Sequence, residues 1–353
     1  MSGDPEAAVT GRRRNWLATL GRWEVLLAIV LVALIVIGST VSPVFLSGRN
    51  FANLISAIIE VAIMSLPMAL IIIAGEIDLS VESMVGLSAS VLGYLYAAGV
   101  PMELCIPIVL AIGALGGLLN GVLTTRAGLP SLVVTLGTLA LYRGLALVVL
   151  ESRGISQFPT WFTSFGFGTV PGLPIPWPFV LYLAIALVLA ALLHGTWIGR
   201  EIYAIGKNQA ASRFSGVRVA RIKLWLFVLS GMVAALAGVI LTARMASARA
   251  DVGIGLTLVV VTIVLLGGVD IFGGRGTIPG VVLAFFTLAV LGNALRLTNV
   301  SSDIQSIVVG LLLVVSVVIP TLARRAKEAF DRTQGGRRLP TGSVGGPGEV
   351  VSP

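Results

Sequence analysis

A chain of 353 residues that is 56% hydrophobic and only 11% charged departs far from soluble domains, which carry roughly 25% charged residues; it reads as an integral membrane protein. The net charge of +8 does not point to nucleic acid, because the basic residues lie where cytosolic loops of a membrane protein need them. A lone Cys105 excludes an internal disulfide, and a lone His194 at the end of an apolar run reads as an interface residue, so no metal site is expected.

Crossing about 30 Å of hydrocarbon takes about 20 residues. Ten apolar runs approach or exceed that length, near 24–46, 51–74, 80–98, 103–124, 131–150, 178–195, 223–243, 256–269, 278–297 and 304–323. The expected fold is all-α: a polytopic membrane protein of about ten transmembrane helices, eight to ten of them full crossings and some broken or re-entrant. The first run exceeds the roughly 7–15 residues of a signal-peptide core. Arg12, Arg13, Arg14 and Arg22 precede it and hold residues 1–22 in the cytosol. The membrane domain is expected over 23–323, followed by a disordered cytosolic tail at 324–353. Segments 1–22, 196–223 and 323–353 carry 16 of the 24 Lys/Arg, which places both termini and the 196–223 loop inside.

Along the chain, Glu60 is a charge well inside the second run, and Arg143 lies inside the fifth. Intramembrane charges pair with each other or line a cavity, so a Glu60–Arg143 pair is one arrangement open to them. A lone Glu60 would instead suit a proton-coupled carrier. The string GEIDLSVES at 75–83 places three carboxylates (Glu76, Asp78, Glu82) at a helix break. Asp78 and Ser80 would cap the third helix, with Glu82 in its first turn against the positive helix end. Alternatively, the break lines a water-filled path. Asn120-Gly121 follows later. Residues 151–178 are rich in aromatics and Pro, suiting an interfacial belt or an outer docking surface.

Residues 196–223 carry six Lys/Arg (Arg200, Lys207, Arg213, Arg218, Arg221 and Lys223) against one acid, Glu201. Each charge would cost about 2.5–3.5 kcal/mol at a membrane centre, so the segment sits in the cytosol. Glu201 to Gly216 is expected to form a short helix there, of the kind that touches a soluble partner. The string GGVDIFGGRGT at 267–277 echoes the first break, with Asp270 in the place of Asp78 and Asn293 downstream as Asn120 is. Its glycines lack the Gly-Lys-Ser/Thr ending of a phosphate loop, so the chain itself is not expected to bind nucleotide.

Four strings together resemble a known family: GEIDLSVES, GLLNGVLTTRAGLPSLVVTLGTLALYRG (117–144), YAIGKNQAASRFSGV (203–217) and LLGGVDIFGGRGT (265–277). They are similar to the permease subunit of sugar ABC importers of the ribose/xylose/arabinose type, over residues 50 to 320. Where that family commonly has GGIDLSVGS, Glu76 and Glu82 stand in the place of glycines, which resembles the rhamnose and autoinducer-2 branch. The resemblance implies that the basic loop is a coupling helix seated in an ATPase subunit, with Ala204, Gly206, Asn208, Ala211, Arg213 and Gly216 at the matching positions. It implies that ATP is used by that partner, that no cofactor is bound by this chain, and that an extracytoplasmic sugar-binding protein delivers a monosaccharide. It implies also a second permease, identical or related, enclosing the path. Asp78, Ser80, Glu60, Asn120, Arg143, Asp270 and Asn293 are the candidate pathway or gating residues. An ion-coupled secondary sugar carrier is the alternative, and a membrane assembly subunit a further one.

Overall fold

The structure, a computed structural model, describes residues 22–151 and 153–335. Every apolar run becomes a helix or a bent helix pair. The first are α1 (Arg22–Val41), the pair α2 (Gly48–Ser56) and α3 (Ile59–Ile73), then α4 (Val81–Ala97), α5 (Met102–Thr125) and α6 (Ser131–Leu150). A long connection carries β1 (Ile155–Ser156) and α7 (Thr160–Phe167) before α8 (Trp177–Gly195). The short pair α9 (Trp197–Lys207) and α10 (Gln209–Phe214) leads into α11 (Val219–Met245). Then come β2 (Ser247–Ala248), α12 (Leu256–Leu266), α13 (Ile278–Leu297) and α14 (Ser302–Gly335). The two short strands pair antiparallel, Ile155 opposite Ala248.

Among the described residues, six helices are long and apolar enough to cross alone: α1, α5, α6, α8, α11 and α13. The α2–α3 pair, bent by 52°, makes a seventh span. The polytopic all-α fold is as expected. Three runs give helices below that length: α4 with 17 residues, α12 with 11, and the apolar part of α14, Ser302–Val318. The basic segment 1–21 and residues 336–353 of the expected tail lie outside the described residues. Residues 324–335, expected to be disordered, continue α14 as helix.

α3 is the centre of the fold: all its residues from Ile59 to Ile73 are buried. A helix that is apolar all round needs neighbours on every side, and α8, α11, α12 and α13 supply them. The tightest pair is α5 with α11. Gly113, Gly117 and Gly121 repeat every fourth residue on α5 and face Gly231, Phe227 and Leu224 of α11. A Cβ at Gly117 would overlap the carbonyl of Phe227, and one at Gly231 the carbonyl of Gly113. Small residues at this spacing let membrane helices approach to backbone contact. That approach sets Asn120 of α5 and Ser230 of α11 against the start of α4.

Candidate functional site

The chain breaks twice in the same way. At the end of α3, Gly75 adopts φ +81°, and the N–H groups of Gly75 and Glu76 donate to the carbonyls of Ile72 and Ile71 at 2.9 and 3.0 Å. At the end of α12, Gly268 adopts φ +83°, and Gly268 and Val269 donate to Leu265 and Val264 at 3.0 and 3.3 Å. Both are helix ends closed by a left-handed residue, where glycine avoids the Cβ clash. An aspartate then turns the chain. Asp78 Oδ1 accepts from the Ser80 N–H at 3.0 Å, and Asp270 Oδ1 from the Phe272 N–H at 3.0 Å. The echo seen in sequence is therefore shared local geometry, offset by one residue between glycine and aspartate.

The first break gathers three of the candidate residues. Asp78 Oδ1 also accepts from the Ser80 hydroxyl (2.6 Å), Asp78 Oδ2 from the Ser230 hydroxyl (2.8 Å), and Asn120 Nδ2 donates to Ser80 Oγ (2.9 Å). Asp78, Ser80, Asn120 and Ser230 are all at most 3% exposed. Ser80 does not cap α4 through its side chain. Instead Asp78 fixes the turn before α4, and Ser80 and Asn120 fix Asp78. Ser230 was missed by sequence reading, since no local spacing links it to Asp78, 152 residues away.

Other expectations are corrected. Glu60 does not meet Arg143. It pairs with Arg244 in the last turn of α11, Nε to Oε1 at 2.7 Å. Arg143 donates to the carbonyls of Ala250 and Val252 at 2.7 and 2.9 Å. Glu82, in the first turn of α4, turns away from that helix's own start: Oε2 accepts the N–H groups of Gly255 and Thr257, both at 3.1 Å, and so caps α12. Asn293 lies far along α13 from Asp270 and exchanges two amide hydrogen bonds with Asn50, at 2.9 and 3.0 Å. The second half of the echo therefore has no counterpart of the Asn120 contact. In the connection between α6 and α8, Phe158 and Phe162 are buried, with Phe158 packed between Tyr96 and Phe162, while Trp161 and Phe167 stay exposed.

The basic segment folds as two helices rather than one. Thr196 caps α9 at the Gly199 N–H, and Asn208 breaks the run, its Oδ1 accepting from the Ala211 N–H at 2.9 Å to start α10. α10 ends at Gly216, φ +83°. Side-chain capping of this kind is worth about 1 kcal/mol. Arg213 is exposed, Ala204 half-buried, and Phe214 beside Arg213 is 93% exposed.

The two breaks and this helix pair meet at one place. The Gly274 N–H of the second break donates to the Ile73 carbonyl of the first at 2.8 Å. Gly206 of α9 lies on that junction: a Cβ there would overlap both the Ile73 carbonyl and the Gly274 nitrogen. The Tyr203 hydroxyl donates to the Gly276 carbonyl at 2.6 Å. Burial, with the Glu24 charge nearby, pushes the Tyr203 phenol up to about 12, so it stays a neutral donor. Lys223, at the start of α11, donates to Glu76 Oε1 (2.5 Å) and Gln209 Oε1 (2.7 Å), tying the first break to α10. From the far side, Thr277 donates to Glu24 of α1 at 2.8 Å, and His194 of α8 accepts the Ile278 N–H at 3.3 Å. α9 is thus in contact with both breaks, and α10 is tied to the first through Lys223.

Comparison with known proteins agrees with this architecture. A family model described as the permease component of a branched-chain amino acid transport system matches residues 50–317. The autoinducer 2 import system permease protein LsrD of Yersinia enterocolitica is 37% identical over 302 residues, 84% of this chain and 91% of that protein. Its counterpart from Photorhabdus temperata is 35% identical over 84% of this chain and 90% of its own length. No solved structure matches. By these matches and its spans, the chain belongs to this permease family, as a multi-pass subunit of an ABC importer in the bacterial cytoplasmic membrane.

Proposed function

We propose that the chain moves autoinducer 2, or a monosaccharide of rhamnose or pentose size, into the cell, with α9–α10 as the element that couples transport to a separate ATPase subunit. A second permease copy or a related permease completes the path, and an extracytoplasmic binding protein delivers the ligand. The single observation that carries this reading is the seat of Gly206 on the Ile73–Gly274 junction. A push on α9 reaches both helix breaks at once, which is what a coupling element requires. Phe214 and Arg213 project from the cytosolic tip of α10. An exposed aromatic beside an arginine is the composition of an interface anchor, and it supports the ATPase as the docking partner. Ala204, Gly206, Asn208, Ala211 and Gly216 then shape and seat the helix pair, rather than all contacting the ATPase.

The test is uptake into vesicles holding this chain, its partner permease and the ATPase, with binding protein supplied. Labelled autoinducer 2, L-rhamnose, D-ribose and leucine form the probe set; leucine is included because the matched family is described by branched-chain amino acid transport. The expected result is uptake of autoinducer 2 or a sugar that requires ATP, the ATPase and the binding protein together. Uptake driven by an ion gradient without the ATPase would replace this reading with a secondary carrier.

A further inference from the structure

Residues 249–255 connect β2 to α12 without helix, beside the middle of α6 and the start of α4. Two charged side chains satisfy the backbone of this stretch. Arg143 of α6 holds the carbonyls of Ala250 and Val252, and Glu82 of α4 holds the N–H groups of Gly255 and Thr257. Gly253 and Gly255 adopt φ +86° and +83°, and a Cβ at Gly253 would crowd the Glu82 carbonyl at 2.7 Å. One side of the stretch is thus pressed onto α4 and α6. The other side is open: Ile254 is 66% exposed, and Arg249 and Asp251 are exposed as a bidentate pair with contacts of 2.9 and 2.6 Å. Irregular backbone at membrane depth persists only where protein buries it or where it lines a water-filled cavity. A cavity of about 520 Å³ is lined by Glu151, Arg153, Arg249, Ala250 and Asp251. That volume falls within the roughly 300–1,000 Å³ of small-molecule sites.

We propose that residues 249–255 form a substrate-selecting wall of the permeation path, and that the Arg249–Asp251 pair binds a small polyhydroxylated ligand there. The inference rests on the import reading above and adds the site. A carboxylate accepts from two neighbouring hydroxyls, and a guanidinium donates to the ligand's oxygens; a neutral polyol offers both. The Arg249 hydrogen bond holds the Asp251 carboxyl below the usual carboxylate range, so it is an ionised acceptor at neutral pH. Arg143 and Glu82 are positioning residues: they carry the wall and do not touch the ligand.

The test uses the complete importer in vesicles with Asp251→Asn and Arg249→Gln, labelled autoinducer 2 and L-rhamnose as probes, and saturating binding protein. Loss of a charge-assisted contact should raise the apparent KM about tenfold or more, while ATP hydrolysis and binding-protein affinity stay unchanged. An unchanged KM overturns the proposal. So does a loss confined to binding-protein affinity, which would make the pair a docking contact. A second measurement does not depend on transport. With Cys105→Ser as background, Ile254→Cys should react with a membrane-impermeant thiol reagent added from outside. A silent cysteine removes the wall, whatever the probes show. Failure of the wild-type importer to take up any probe, with a reactive cysteine, would count against the import reading instead.

Discussion

Replacing Gly206 by alanine tests the coupling argument at its narrowest point. The added methyl meets the Ile73 carbonyl, the Gly274 nitrogen and the Gly274 Cα. All three are backbone atoms, so no side chain can rotate away. Overpacking of this kind costs about 1–3 kcal/mol. If α9 lifts to make room, the Tyr203 hydrogen bond to Gly276 is lost, about 0.5–1.5 kcal/mol more. Alanine's better helix propensity offsets up to about 1 kcal/mol. The net penalty on the seated arrangement is about 1–3 kcal/mol, which lowers its population roughly 5- to 140-fold at about 1.4 kcal/mol per decade. The assay is uptake and ATP hydrolysis measured side by side on vesicles of equal permease content. Uptake should fall at least about fivefold, while hydrolysis persists, because the exposed face of α10 is untouched. Gly137→Ala serves as control, since a Cβ there meets nothing within 4 Å. A Gly206→Ala importer with wild-type uptake would refute the reasoning.

Three further outcomes follow from named contacts. Asp78→Asn should keep most uptake, because its carbonyl still accepts from Ser80 and its amide can donate to Ser230. Asp78→Leu should lose uptake, with buried donors unpaired at roughly 1–3 kcal/mol each. A tenfold rise in half-saturation for Asp78→Asn, at saturating binding protein and equal membrane abundance, would instead assign Asp78 to the ligand path. Glu60→Leu strands Arg244 and should destabilise by about 3–5 kcal/mol, whereas Glu60→Leu with Arg244→Met should recover most of that; thermal unfolding in detergent checks both, and a stable single variant contradicts the pairing. Ala210→Cys on the Cys105→Ser background should resist impermeant thiol reagents in intact cells and react once the membrane is opened. Labelling from outside would invert the assigned topology.

Much of this molecule is legible from hydropathy and punctuation. Each apolar run is long enough to force a helix in lipid. Gly75, Gly216 and Gly268 announce helix ends because only their φ values near +80° close those turns without strain. The six cations of 196–223 mark a segment that hydrocarbon excludes. Partners across the fold are not legible in this way. Arg244 lies 184 residues from Glu60, and Ser230 lies 152 from Asp78. Local spacing cannot reveal pairs that arise only when α11 packs on α3 and α5. The GxxxGxxxG stripe of α5 was readable and names a helix that packs closely, but it does not name which one. The run 256–269 is the shortest of the ten, and a left-handed glycine at each end bounds its helix at 11 residues.

The two positions where this chain departs from the family's glycines show how the charge inside the membrane domain is used. Glu76 ties the first break to α11 and α10 through Lys223 and Gln209. Glu82 ties α4 to the start of α12. Glu60 is neutralised by Arg244, and Arg143 is spent on carbonyls. Asp78 accepts three hydrogen bonds and is 1% exposed. An ion-coupled carrier needs a carboxylate that faces a cavity and trades its partner for an ion during the cycle. Here each of these carboxylates joins two elements that must move together. Their charge links elements of the fold to one another, an arrangement that suits the proposed reading in which force arrives through α9 and α10.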